Sequence, residues 1–560
     1  MKLKIFTILS LLSCVATMWA QNPKWFKKAR KSQVTVITKN ANDEIQQAQG
    51  IVVSEEGEVI TEYDVLKGAV RGSVVDGDGN EYNIINILGA NSLYNVARIK
   101  TDGKKMATPS IVTQAQPKNQ LVYIMPLCSN DKKAICVVDT IKEVQLFNDD
   151  QYPYYTLSKT IDSRNTGCPV FNEEGEFIGN IQLSATDNND DPAYVVGVQY
   201  GNALKISALD ANNADLAAIN IVKALPDDEA QATTYLYLMN KQNATAFENQ
   251  TKAFIEKYPK NTTGYVLLAE LKASQKDYKS AEEIYSQAAG NQTQNEDELH
   301  HSFAKLLYQC GLMEQAPYEG WDMEHALKEA NAAYSCNPLP LYSALEGLCL
   351  YALKRYDEAY DKFIGLTKTN MRSAEYFMYA SQCKQMTQAP AEEILAMQDS
   401  AINCFNKPYP TEAASYLYLR AKTLASMERY REAVTDMNEF EHLASGSVSA
   451  TFCYEREQIE IQCRMYAKAL SDIERAVTLE PDEPLFRAEE AVVNYRVGQI
   501  KEAINAANEA IKLDDKFADA HRILGICLRD QGKTADARKS LQRAVELGDT
   551  VAQSILDKMK

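Results

Sequence analysis

The sequence reads YAKALSDIERAVTL at 466–479, IKEAINAANEAIKL at 500–513 and TADARKSLQRAVEL at 534–547. Each stretch starts 34 residues after the one before it and has alanine at its fourth and eleventh positions. Apolar residues within each stretch return every three to four residues, which predicts an amphipathic helix. A fixed period of this length predicts a helical repeat, in which each unit must stack on its neighbours to bury its apolar face.

The same pattern extends back to residue 229. A tyrosine recurs three residues before the first small residue of the second helix, at Tyr278, Tyr356, Tyr430 and Tyr466. Small residues recur in the first helix, at Ala269, Gly347, Ala421, Ala491 and Gly525. This pattern resembles the tetratricopeptide repeat, a helix-turn-helix unit. The resemblance implies an all-α superhelix (α-solenoid) over 229–560 with about eight or nine units. Four units read clearly, at 414–449, 450–483, 484–517 and 518–551.

The resemblance also implies that the first helix of each unit lines a concave groove. Several aromatic residues and one arginine fall at such positions: Tyr351, Tyr418, Tyr454, Tyr495 and Arg522. Tyrosine provides a large rigid contact surface with a polar end, which suits an extended peptide. The alternative is that these tyrosines, among 31 in the chain, only pack between helices. The lysine and asparagine clamp with which some members bind a terminal carboxylate is not evident.

Residues 33–208 have a different pattern. Short apolar runs such as VTVIT (34–38), LVYIMPL (121–127) and GEFIGNIQL (175–183) are separated by turn residues, and helical periodicity is almost absent. This predicts a closed or sandwiched all-β domain.

Three segments of this region resemble the trypsin-like serine proteases, most closely the bacterial Deg (high-temperature-requirement) type. They are TEYDVLKGA at 61–69, NVARIK at 95–100 and RNTGCPV at 164–170. The family has T-x-x-H-V, D-L-A and G-[ND]-S-G-G-P at these places, in the same order. The resemblance implies a trypsin-like double barrel.

The residues at the catalytic positions do not match the family. Asp64 stands at the histidine position, Asn95 at the aspartate and Thr166 at the serine, while Arg164 replaces the glycine on the oxyanion side. All five histidines lie beyond residue 209, so the β-domain has no imidazole to act as general base. We therefore expect a pseudoprotease domain with no catalytic residues. The alternative is a rebuilt hydrolase site that uses Thr166, Asp64 or Cys168.

The first residues have the pattern of an export signal. MKLK is a charged start, and the apolar run that follows ends at Ala20, which predicts a signal peptide over 1–20. A lipoprotein signal is the alternative, because LLSC at 11–14 would place a lipid on Cys14. We expect a periplasmic protein, or alternatively an envelope lipoprotein or a secreted one. A basic lead-in over 21–32 precedes the β-domain, and 209–228 is expected to be a linker.

The composition excludes other functions. The 560 residues include 59 basic and 76 acidic ones, a net charge of −17, which argues against nucleic-acid binding. Cys14 aside, eleven of the twelve cysteines remain, an odd number without metal-like spacing, although Cys128 and Cys136 could bridge across a hairpin. No phosphate loop, dinucleotide motif or zinc motif is present, and no cofactor or metal is expected. The sequence thus predicts an exported, non-enzymatic adaptor whose groove binds a protein or peptide.

Overall fold

The computed structural model describes residues 22–126, 135–149, 151–160, 165–182, 192–239, 243–313 and 317–559. The expected signal peptide, the lipid site at Cys14, the replaced glycine position Arg164 and the bridge from Cys128 to Cys136 all depend on residues outside these ranges. The chain forms two compact units that meet in sequence between Glu296 and Asp297.

The first unit begins with a closed antiparallel barrel. Its strands run in the order β1-β2-β3-β6-β5-β4, and pairing of β1 with β4 closes it. Buried residues alternate along β1, so that Val34 and Val36 point into the core with Val59 and Ile99. The strands are β1 (Gln33–Asn40), β2 (Ile45–Ser54), β3 (Glu58–Thr61), β4 (Ala69–Val75), β5 (Glu81–Asn91) and β6 (Val96–Thr101).

A second sheet closes in the same way. Its ring runs β8-β9-β10-β13-β12-β11 and is completed by pairing of β11 with β8, while β7 pairs in parallel with β12. Ile51 and Ile60 of the first barrel belong to the core of this second one, so the two barrels pack together. The strands are β7 (Ser110–Ile111), β8 (Leu121–Ile124), β9 (Val137–Phe147), β10 (Tyr152–Leu157), β11 (Pro169–Phe171), β12 (Glu176–Gln182) and β13 (Tyr194–Gly197).

Residues 209–228 lie against the first barrel. The backbone N–H of Gly68 donates to Ala218 O at 2.7 Å, and the N–H of Ala224 donates to Ile87 O at 2.8 Å. Leu216 and Ile219 are buried in the same core as the barrel valines. The core also takes in Tyr235, Leu236, Phe247 and Phe254 from the first repeat helices. This segment and these helices therefore share one core with the barrel.

Helices make up the remainder of the described chain. Three short helices come first: α1 (Phe26–Ala29), α2 (Val198–Ala203) and α3 (Ala214–Ala217). The first unit ends with α4 (Glu229–Leu238), α5 (Ala244–Lys257), α6 (Thr262–Ser274) and α7 (Tyr278–Gly290). The remaining helices are α8 (Glu296–Gly311), α9 (Met323–Cys336), α10 (Pro340–Ala352), α11 (Tyr356–Leu366), α12 (Ala374–Met386), α13 (Ala391–Ile402), α14 (Ala414–Ser426), α15 (Tyr430–Leu443), α16 (Ala450–Gln462), α17 (Tyr466–Leu479), α18 (Pro484–Arg496), α19 (Ile500–Leu513), α20 (Ala518–Asp530), α21 (Thr534–Glu546) and α22 (Thr550–Lys558).

Small residues lie where the two helices of a pair cross. A Cβ added at Gly525 of α20 would lie 2.6 Å from Leu541 Cγ of α21, and one at Gly347 would lie 2.8 Å from Phe363 Cε1. Ala469 and Ala476 are fully buried. The 34-residue spacing therefore reflects close helix crossing. The predicted fold class, an all-β double barrel followed by an all-α repeat region, is confirmed.

No helix within the described residues combines the length and apolar character that a membrane crossing requires.

Candidate functional site

Two loops of the first barrel bring the first two triad positions together. Asp64 opens a 3₁₀ turn (Asp64–Leu66) after β3, and Asn95 lies in the turn before β6 with φ at 43°. The backbone N–H of Asp64 donates to Asn95 Oδ1 at 3.0 Å. The Asp64 side chain is exposed, whereas Thr166, in the loop before β11, is half-buried. Asn95 thus binds a backbone group where a triad carboxylate would orient an imidazole.

The structure adds Glu62, which the sequence reasoning missed. Its half-buried side chain lies against Gly167, and a Cβ added at Gly167, where φ is +70°, would collide with Glu62 Oε1. Burial, followed by the charge of Asp64, raises the pKa of Glu62 to about 7, while a hydrogen bond from the Asn95 side chain opposes the rise. The carboxyl group therefore fills the space beside the residue that follows Thr166.

Glu62 is the second residue of the TEYD motif, two residues before Asp64, and this position could have indicated that it lies in the cleft. A carboxyl group with a pKa near 7 can exchange a proton at neutral pH, as a catalytic base must. Among the carboxylates of this region, Asp64 alone was expected as a possible base.

Cys168 is buried in a polar network between the barrels. Its side chain is fully buried, and Gln49 Nε2 donates to its Sγ at 3.1 Å. Gln33 Nε2 donates in turn to Gln49 Oε1 at 2.8 Å and to Met125 O at 3.0 Å. A fully buried thiol among amides is placed for packing and hydrogen bonding rather than for attack on a substrate.

The predicted groove tyrosines lie on first helices and connect neighbouring repeats. Tyr495 of α18 donates from its hydroxyl to Asp530 Oδ2 of α20 at 2.7 Å, and Tyr418 of α14 donates to Glu455 of α16. The Tyr454 ring lies 5.6 Å from that of Phe486, and Tyr351 contacts the rings of two neighbouring tyrosines. All four predicted tyrosines are half-buried, so each keeps an exposed portion.

Arg522 is held between two carboxylates. Its guanidinium lies 2.5 Å from Asp519 of the same helix and 2.5 Å from Asp549. Asp549 also caps α22, since its Oδ1 accepts hydrogen bonds from the N–H groups of Val551 and Ala552. Arg522 therefore ties the last pair to the terminal helix.

Each of the two regions matches the profile of a known family. The profile of the trypsin-like peptidase domain matches residues 48–179, and that of the tetratricopeptide repeat matches residues 488–552. The chain carries a trypsin-like peptidase domain followed by tetratricopeptide repeats.

The curated relatives match parts of the chain. The TPR repeat-containing thioredoxin TTL4 of Arabidopsis thaliana is 33% identical over 76 residues, which are 14% of this chain and 11% of that protein. The small glutamine-rich tetratricopeptide repeat-containing protein 2 of Mycosarcoma maydis is 32% identical over 82 residues, 15% of this chain and 23% of that one. The match thus spans about a tenth to a quarter of the length of these relatives.

Two solved structures resemble separate parts of the chain. One is YrrB, described as a TPR protein with an unusual peptide-binding site, with 19% identity and a TM-score of 0.31 over 35% of this chain and 97% of that one. The other is the HtrA-type protease AlgW with a tripeptide, with 16% identity and a TM-score of 0.27 over 31% of this chain and 59% of that one.

One tetratricopeptide repeat has a carboxyl group at a helix crossing. Glu457 of α16 stands where other repeats have Ala421, Ala491 or Gly525, and it is fully buried. Burial raises its pKa to about 8, and the charge of Glu489 adds to the rise. Glu460 is also buried, and its pKa is raised to about 7. These carboxyls were missed as well, although the break in the small-residue column at 457 was visible in the sequence.

Proposed function

We propose that this chain is an exported, non-enzymatic adaptor. In this proposal the tetratricopeptide groove binds a protein or peptide partner, and the trypsin-like domain is catalytically dead and assists binding or stability. A periplasmic location, with an envelope lipoprotein or secreted form as the alternative, is part of the proposal and rests on residues 1–20. Lipid labelling that is lost in Cys14→Ala would select the lipoprotein form.

The proposed loss of catalysis is supported chiefly by the residues that line the cleft between the triad positions. No histidine occurs in the β-domain, and Asp64 stands in its place with an exposed side chain. Glu62 occupies the space beside Gly167. A triad requires an imidazole that accepts the nucleophile's proton and later donates it to the leaving group.

The groove supports partner binding through the half-buried tyrosines of its first helices. Their rings remain partly exposed, although the hydroxyls of Tyr418 and Tyr495 already bind carboxylates. Such rings offer apolar contact area at small entropic cost.

A second candidate function is a rebuilt hydrolase, and Glu62 favours it. In this version the Thr166 hydroxyl attacks a peptide carbonyl, Glu62 accepts the hydroxyl proton and returns it to the departing amine, and water then releases the acyl group.

One assay separates the two functions. Full-length protein is incubated with casein and with a mixed-sequence peptide library, and new amino termini are quantified for wild type, Thr166→Ala and Glu62→Gln. The adaptor proposal expects the three proteins to give the same background. Cleavage by wild type that disappears in both variants would replace it with the hydrolase.

A further inference from the structure

A cluster of polar side chains joins the first helices of the last three pairs, α16, α18 and α20. Gln458 of α16 bridges two carboxyl groups there: its Nε2 donates to Glu457 Oε2 at 2.7 Å and to Glu489 Oε2 of α18 at 3.3 Å. The negative charge of Asp519, on α20, also acts on Glu489. We call these four residues the acidic pocket.

The acidic pocket contains a buried acceptor without a partner. Glu457 is 0% exposed, and within the part of the chain that the structure describes its Oε1 has no hydrogen-bond partner. A buried oxygen left in this state normally costs on the order of 1–3 kcal/mol, so its retention calls for an explanation. A donor supplied by a ligand would satisfy this acceptor.

The charges around the pocket do not balance. Among the described residues, no lysine or arginine forms an ion pair with Glu457 or Glu489. The nearby cations are already engaged, since Arg456 binds Asp472 at 2.6 Å and Arg522 binds Asp519 and Asp549. Arg522 and Arg496 act on Glu489 only through their charges, while Asp472 and Glu460 add further acids near Glu457. The pocket is therefore short of positive charge.

We propose that the acidic pocket binds a cationic group of a peptide lying in the groove, either a lysine or arginine side chain or the peptide's amino terminus. This inference rests on the proposed peptide-binding function and specifies the chemistry of the partner. The Gln458 nitrogen binds the Oε2 atoms of both carboxyls, so the donor of the ligand belongs beside this nitrogen, within reach of Glu457 Oε1. Gln458 and Glu489 are half-buried and Asp519 is exposed, so the position can be reached from the groove.

An ammonium or guanidinium group would bind these carboxyls more strongly than the neutral amide of Gln458 does. Hydrogen bonds between charged groups are about twice as strong as neutral ones. Tyr454 lies beside the acidic pocket, where burial and then the charges of Glu489 and Glu457 raise its pKa. Its ring offers an apolar surface for the methylene groups of a long side chain. A cation at this place would pair with both carboxyls at once.

Proton release should accompany binding. Burial and the charge of Glu489 raise the pKa of Glu457 to about 8, and Asp472 and Glu460 add to the rise. Burial and the charge of Asp519 raise the pKa of Glu489 against the opposing charges of Arg522 and Arg496, so the pair holds a proton near neutral pH. A bound cation favours the ionised pair and expels this proton. Affinity should therefore increase as the pH is raised from 6 to 8.

The test selects ligands with the full-length protein. A phage library of random dodecapeptides is panned against wild type, Glu489→Gln and the matched control Glu509→Gln. Glu509 lies on the second helix α19 with its side chain 53% exposed, so its substitution changes the net charge equally at a distance from the pocket. A selected peptide and its analogue with the basic residue replaced by glutamine are then titrated calorimetrically at pH 6 and pH 8.

We expect lysine or arginine at a fixed position in peptides selected by wild type and by Glu509→Gln, but not in those selected by Glu489→Gln. The glutamine analogue should bind wild type at least about tenfold more weakly, which corresponds to the loss of one charge-assisted pair. Asp519→Asn should weaken binding in the same direction. Peptides that bind the groove without a basic residue, or that bind Glu489→Gln equally well, would overturn this inference and leave the proposed function intact. A failure of every protein to select any peptide would overturn peptide binding by the groove, which is the part of the proposed function on which this inference rests.

Discussion

Glu62 in the barrel cleft and Glu457 in the repeat region are both carboxyl groups whose pKa is raised by burial, but their neighbours differ. Glu62 lies against the backbone at Gly167 and accepts a hydrogen bond from Asn95. Glu457 lies near a second carboxyl and retains an unpartnered oxygen among the described residues. Glu62 fills the space beside Gly167, whereas Glu457 has an oxygen that still lacks a hydrogen-bond donor.

This difference shows why a raised pKa alone does not identify a site. Burial produces it in both places, yet the chemistry available to a ligand depends on which polar atoms remain unsatisfied. In the cleft the Glu62 carboxyl already packs against the backbone and accepts a hydrogen bond, so we assign Glu62 a role in packing. In the acidic pocket the missing cation points to a ligand.

The largest expected effect tests the packing of Glu62. Gly167→Ala places a methyl group against Glu62 Oε1 at a backbone φ of +70°. We expect it to destabilise the β-domain by about 3 kcal/mol, from the combined penalties of steric overlap and positive φ. The measurement is the opening free energy of β-domain amides, by hydrogen exchange and mass spectrometry.

Gly79→Ala provides the control for this experiment. Gly79 has φ at +86° and no atom within 4 Å of an added Cβ, so it should lose only about 1 kcal/mol from the backbone conformation. The excess loss in Gly167→Ala should disappear when it is combined with Glu62→Ala. An equal loss at both glycines would show that Glu62 does not pack against Gly167.

A smaller effect is expected from Glu457→Gln. Because the folded state holds the proton up to a pKa near 8, ionisation of Glu457 reduces stability as the pH rises from about 4.5 to 8. The variant should therefore match wild type at pH 4.5 and exceed it by about 2 kcal/mol at pH 9, with the gain located in α16 and α17.

The same variant should bind the selected basic peptide less well, so stability and binding change in opposite directions. Hydrogen exchange of peptides from 450–479 at both pH values measures the first, and calorimetry the second. Unchanged stability at high pH would contradict the assignment of Glu457 as a desolvated acid.

The place of this anomaly is visible in the sequence, although it was not predicted, whereas its partner is not visible there. The small-residue column of Ala421, Ala491 and Gly525 leads directly to position 457, where glutamate breaks the pattern. Glu489 lies 32 residues further along, and its approach depends on how α16 and α18 rotate about their axes. Helix periodicity gives the face that a residue occupies, but not which atoms on two helices meet.

Glu62→Gln should have a weaker effect of the same kind. The pKa of Glu62 is about 7, so its ionisation reduces stability between about pH 4.5 and 7 and no further above. We expect a gain of about 1–2 kcal/mol at pH 8 and none at pH 4.5, since partial exposure reduces the desolvation penalty. Peptide binding should be unchanged, in contrast to Glu457→Gln.

In the cleft, the motifs assign Asp64 and Asn95 to two triad positions, and the structure brings these two residues into contact. The direction of the Glu62 side chain could not be read in this way. It depends on the turn that joins β3 to the 3₁₀ segment, and on the space that the glycine after Thr166 leaves open. Both depend on loop geometry, which periodicity does not encode.

The smallest expected effect tests whether a groove tyrosine hydroxyl contributes to peptide binding independently of the acidic pocket. Tyr495→Phe removes the hydroxyl that donates to Asp530 at 2.7 Å but keeps the ring. Loss of one such bond to a carboxylate should cost about 1 kcal/mol in the opening free energy of α18 and α20, measured by hydrogen exchange. Affinity for the basic peptide should stay within about twofold, because the ring supplies the contact and the acidic pocket supplies the charge. A tenfold loss of affinity would instead make this hydroxyl part of the binding site, and the boundary of the acidic pocket would then extend along α20.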